Sequence, residues 1–124
     1  MMVKKVFISQ PMNGKSDDEI LTIKSEASKL IDKYFNILGY KAEIVSTFFT
    51  EADKPDGIPE NANRLWYLGR AIQMLGQCEY CFFCDGWENA KGCVIESEVC
   101  KKYGILSINK DIIGEVLDPI RKKI

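Results

Sequence analysis

The stretch "KKVFISQPMNGKSDDEI", Lys4 to Ile20, decides how the chain is read. Lys4–Ser9 is a short apolar run rich in β-formers, so it reads as a first strand. Pro11 and Gly14 in "QPMNG" break it. Ser16-Asp17-Asp18-Glu19 then carries the pattern of a capping box. Ser16 can accept from the Glu19 amide, and Glu19 can reach back to the Ser16 amide. An acidic first turn also suits the positive end of a helix dipole. Strand, turn and capped helix in that order make a βα unit.

Working outward, Ile20, Ile23, Ala27, Leu30, Ile31, Tyr34 and Leu38 recur at steps of three and four, which predicts an amphipathic helix stopped at Gly39. "YKAEIVST" (Tyr40–Thr47) reads as strand two. Thr50 to Asn61 is rich in turn residues and long for a connection, as loops that border sites often are. The next helix has Leu65, Leu68, Ile72 and Leu75 as its apolar stripe. "CEYCFFCD" (Cys78–Asp85) is strand three, a helix runs from about Ala90 to Tyr103, "ILSI" (Ile105–Ile108) is strand four, and a last helix covers Asp111 to Lys123. Strands that alternate with helices imply a parallel sheet covered on both faces. Ligands of such sheets sit beyond the C-terminal strand ends. The loops after strands one and three should therefore border one crevice, and both lead into helix N-termini that favour anions.

The bulk composition excludes several classes. The chain has 124 residues, 46% of them hydrophobic and 28% charged, enough for a single domain with a core. A net charge of −1 argues against binding a nucleic-acid polymer through a charged face. No apolar run approaches the roughly 20 residues of a membrane span, and "MMVKKVFIS" is too short for a signal peptide. Five cysteines crowded into residues 78–100 fit a reducing compartment, so a cytoplasmic location is expected. There is no histidine, which leaves carboxylates, thiols, lysines and tyrosines for any chemistry.

One carboxylate stands on the wrong side of its helix. "GWENAKGCVIE" (Gly86–Glu96) leads into a helical run in which Gly92, Glu96, Val99, Cys100 and Tyr103 share a stripe, and all but Glu96 are small, apolar or aromatic. Glu98 instead faces Lys101 and Lys102 and reads as solvated. A carboxylate at the core margin is costly unless it has a partner, and such groups are often functional. A structural partner for Glu96, such as Tyr103 or Arg70, is the competing reading.

"VFISQPMNGKSDDEI" together with "GWENAKGCVIE" resembles the nucleoside 2-deoxyribosyltransferase-like superfamily, closest to its small bacterial and phage branch. The resemblance spans nearly the whole chain in order. It implies an α/β, flavodoxin-like three-layer sandwich, with about four parallel strands in the order 2-1-3-4. It also implies chemistry at the glycosidic carbon of a deoxyribonucleoside or its 5′-monophosphate. In that family the nucleophilic glutamate lies four residues after a helix-opening glycine, a spacing matched by Gly92 and Glu96. By the same resemblance Ser9, Gln10, Met12, Asn13 and Gly14 border the ligand, with Asp85, Trp87 and Asn89 opposite. Relatives carry an aspartate or serine where this chain has Ala90, and the first loop here lacks their arginine. The partner implied is a small-molecule nucleoside or nucleotide. A homodimer or larger homo-oligomer is also implied, and no metal or redox cofactor.

Two other readings compete. Cys78-x-x-Cys81-x-x-Cys84, with Cys93 beyond, resembles an iron–sulfur or zinc spacing, but in an extended strand side chains three apart point to opposite faces. Trp87 and Tyr67 could stack on a base, or simply pack. In a different functional class, the same crevice would serve a non-catalytic nucleotide-binding or sensing module.

Overall fold

The computed structural model describes residues 2–45 and 56–117. Its elements follow the expected alternation: β1 (Val3–Ser9), α1 (Asp17–Ile37), β2 (Lys41–Val45), α2 (Glu60–Leu75), β3 (Tyr80–Phe83), α3 (Lys91–Tyr103), β4 (Leu106–Asn109) and α4 (Lys110–Leu117). The strands form one parallel sheet in the order β2-β1-β3-β4. β1 lies inside it: Val6 is level with Ile44 of β2 on one side and Tyr80 of β3 on the other. The first half of the Thr50–Asn61 loop and the end of the expected last helix lie outside the described residues, as do Ser46 and Thr47 of the expected strand two. No helix among the described residues is long and apolar enough to cross a membrane.

The two faces are set by strand alternation. Val6 and Ile8 of β1, with Phe82 and Cys84 at the end of β3, face α1 and α4 and pack on Ala27, Ile31, Phe35 and Ile113. Phe7 of β1, with Cys81 and Phe83 of β3, faces α2 and α3 and packs on Leu75 and Cys100. The result is a three-layer α/β sandwich with a pair of helices on each side. The cysteine geometry obeys the same alternation, since Cys81 and Cys84 enter opposite cores.

The caps that bound α1 form as expected. Glu19 N donates to Ser16 Oγ at 3.2 Å, and Ser16 N donates to Glu19 Oε1 at 3.4 Å. At the far end Gly39 has φ +84°, a left-handed conformation suited to glycine. Its N–H donates to Asn36 O and that of Tyr40 donates to Phe35 O, the paired bonds of a Schellman turn.

Side-chain burial departs from the expected stripes in three places. Phe35, absent from the α1 stripe, is fully buried, and its ring meets Tyr34 and Tyr80 edge-on at centroid distances of 5.1 and 4.9 Å. Leu38 is exposed, because the helix has already ended at Ile37. On α2, Leu65 is 63% exposed while Leu75 is buried. Leu68 Cδ1 lies 3.7 Å from where a Gly92 Cβ would stand, at the very start of α3, so Leu65 sits beyond that neighbour's reach. On α3 the buried residues are Cys93, Glu96, Ser97 and Cys100, whereas Tyr103, placed in the apolar stripe, is 79% exposed at the last helical residue.

Phe35 therefore anchors the α1 side. Phe35→Ala is expected to destabilise the fold by about 3–5 kcal/mol, against a change within about 0.5 kcal/mol for Leu65→Ala, as read by urea unfolding.

Candidate active site

The strand order reverses between β1 and β3, because β1 leads to β2 on one side and β3 lies on the other. In parallel sheets of this kind, such a switch point is where ligands bind. The loops that leave these two strands touch. Gly86, at φ +85°, would bring a Cβ within 3.8 Å of Pro11 Cγ. Gly86 opens a single 3-10 turn, Trp87–Asn89, that leads into α3.

Ser9 is the last residue of β1 and, by alternation, faces α3. Glu96 is in the second turn of α3 and turns toward the sheet. The two meet: Ser9 Oγ donates to Glu96 Oε1 at 2.8 Å, both side chains being buried. Glu96 is only 6% exposed. Burial pushes its carboxyl up to about 7, with the Ser9 hydrogen bond pulling the other way. The partner of the carboxylate is thus a neutral hydroxyl, not Tyr103. Arg70, the alternative partner, donates through Nη1 to Gln73 Oε1 at 2.9 Å. Glu98 sits at the surface with Lys101, as its spacing predicts.

Most thiols around Glu96 are held in the protonated form. Burial raises Cys93, one helical turn before Glu96, although a hydrogen bond with Ser9 acts to lower it. Burial pushes Cys78 up to about 11 and Cys84 to about 12. Cys81 is raised by its hydrogen bond with Cys100 and by burial, while the same hydrogen bond lowers Cys100. Raised, buried thiols are poor nucleophiles. Among the described residues no group of three or more Cys, Asp or Glu side chains is arranged to hold a metal ion.

The remaining expected residues are spread over the first and third loops. Gln10 is buried, and its Nε2 donates to Ile20 O at 3.1 Å, which ties the first loop to the first turn of α1. Met12, Asn13 and Gly14 are exposed along that loop, with Gly14 at φ +78° in its turn. Gly92 is half-buried at the start of α3, where an added Cβ would stand 3.7 Å from Leu68 Cδ1. Asn89 is exposed. Trp87 lies half-buried against Phe83, ring centroids 5.0 Å apart. The Asp85 side chain is 83% exposed, 3.8 Å from Lys110 Nζ. Asp85 and Trp87 line a cavity of about 180 Å³ between the ends of β3 and β4 and the start of α4, which Ser9 and Glu96 do not line. The expected residues are therefore split: Asp85 and Trp87 line this cavity, and the Ser9–Glu96 pair lies apart from it.

The two helix N-termini also differ. That of α1 is closed by Ser16, whereas that of α3 begins at Ala90, which offers no side-chain cap. Two features carry no signal in the sequence pattern. Cys93, which reads there only as one more cysteine beyond the Cys78–Cys84 run, adjoins Ser9. Asn63 Oδ1, near the start of α2, is a buried acceptor without a partner, and a polar residue within a helical run does not announce that.

The Glu96 carboxyl has a testable effect on stability. It holds its proton more tightly folded, near 7, than at its ordinary 4.5, so its contribution is present in full below about pH 4.5 and lost as pH rises through 7. Relative to Glu96→Gln, the wild type is expected to lose about 3 kcal/mol between pH 4.5 and 8 in urea titrations. A constant difference across that range would contradict the burial argument.

No curated protein and no solved structure matches the chain. A family described as a domain of unknown function, DUF4406, matches residues 4–109, from within β1 to the last residue of β4, and the chain belongs to that family.

Proposed function

We propose that the protein breaks the N-glycosidic bond of a deoxyribonucleoside or its 5′-monophosphate, with Glu96 as nucleophile. The observation that carries this reading is the Glu96 carboxylate itself. It is buried at the switch-point crevice, held by one hydroxyl, and titrates near 7. A group poised there is half ionised at neutral pH and needs little energy to change state. The resemblance of the first-loop and α3 motifs supports the same assignment.

Departure of the base builds positive charge on the sugar ring, which a carboxylate on one face stabilises and traps. A glutamate oxygen bonds C1′ as the C1′–N electron pair leaves with the base. The base takes a proton from Asp85, Glu88, solvent or a neighbouring subunit. Water, or a second base, then bonds C1′ and the glutamate–sugar bond breaks. The water proton passes to the carboxylate or to solvent. The Cys93 thiol beside the site, being protonated, does not compete for the electrophilic carbon. The reading carries with it a cytoplasmic setting, suited to five free cysteines, and a homodimer or larger assembly.

A second reading keeps the crevice but not the chemistry. The low exposure of Glu96 and the uncapped helix start at Ala90 favour a module that binds a nucleotide without cleaving it.

Incubation with a panel of deoxynucleosides and deoxynucleotides, with and without a free acceptor base, separates the two. Chromatography is expected to find released or exchanged base, with the rate rising through about pH 7 as Glu96 ionises. Glu96→Gln is expected to lower that rate about a thousandfold or more. Nucleotide binding with no base released by wild type or variant would establish the sensor instead.

A further inference from the structure

The Glu96 carboxylate has two oxygens, and they differ. Oε1 accepts from Ser9 Oγ at 2.8 Å. Oε2 takes no hydrogen bond among the described residues, and it is not one of the sealed, unpartnered polar atoms. One oxygen is held by the sheet and the other is not.

Cys93 is buried one helical turn before Glu96 and adjoins Ser9, whose hydroxyl acts to lower the thiol while burial raises it. The Ser9 hydroxyl has a single proton, and that proton goes to Glu96. The other titratable groups that face Glu96 are also buried thiols, Cys81 on β3 and Cys100 on α3.

We propose that Ser9 is the positioning residue of this site: by holding Oε1 it presents Oε2 as the attacking oxygen. This rests on the reading of Glu96 as nucleophile, but the geometry can be tested apart from it. Ser9 touches no reacting atom in this scheme. It acts by orienting the carboxylate, and by favouring its ionised form, which accepts a hydrogen bond that the neutral form needs less.

The test tracks the Glu96 carboxyl carbon by NMR titration in protein labelled at glutamate Cδ, with Glu96→Gln used to assign the signal. Ser9→Ala is expected to move the titration upward by about one unit, and Ser9→Thr, which keeps the hydroxyl, hardly at all. In the base-release assay Ser9→Ala is expected to lower kcat about ten- to a hundredfold, with KM little changed and the alkaline-rising limb moved to higher pH, and Ser9→Thr to restore it. If Ser9→Ala does not fold, Ser9→Cys takes its place, with an upward shift again expected from the weaker donor. An unmoved titration in Ser9→Ala, or equal losses in Ser9→Ala and Ser9→Thr, would overturn the positioning role. A shifted titration in a protein that releases no base would uphold it and reject the glycosidic reading instead.

Discussion

β1 carries the constraint on which the rest depends. It is paired on both edges and covered on both faces, so every side chain in its second half is buried. Val6 and Ile8 supply one core and Phe7 the other. The strand then ends at Ser9, on the α3 face, still inside the protein. A buried hydroxyl needs a hydrogen-bond partner, and α3 offers Glu96. A glutamate turned into this layer needs a donor in return. Each side chain is tolerable where it stands because the other is there.

The remaining electrostatics set that pairing apart. Lys4–Glu79, Arg64–Glu60 and Lys101–Glu98 are surface ion pairs at 3.0, 2.9 and 3.3 Å. Exposed pairs of this kind contribute about 1 kcal/mol or less each. Burial of Glu96 works on a larger scale and in the opposite direction, since it holds a carboxyl near 7 against its ordinary 4.5. An apolar residue at position 96 would fit the surrounding thiols and phenylalanines without that penalty. A group retained in spite of it, at the topological switch point, is what a chemical role would require.

The surroundings also limit the chemistry. The thiols of this region are buried and pack as small apolar residues. They line the carboxylate with low polarity and leave Ser9 as its one hydrogen-bond donor among the described residues. Asp85 and Trp87, expected opposite the first loop, open instead on the neighbouring cleft beside α4. Gly86, which lines that cleft, lets the third loop pass against Pro11. That contact comes from the turn after β3 and not from any sequence spacing.

The sequence by itself determined what depends on local chemistry. The capping box at Ser16, the stop at Gly39 and the alternation of strands with helices were all legible, because caps, turns and periodicity act over a few residues, whereas the order 2-1-3-4 came with the family resemblance. Opposite faces for Cys81 and Cys84 came from the strand period, and the surface position of Glu98 from its lysine neighbours. Tertiary structure alone decided the rest. The helical stripes pointed to Tyr103 and Leu65 and passed over Phe35, because burial depends on how far the adjacent element extends, and periodicity carries no such length. Glu96 could be singled out as misplaced, but its partner could not. Ser9 is 87 residues away, and only the packing of α3 on the end of β1 brings the hydroxyl to the carboxylate.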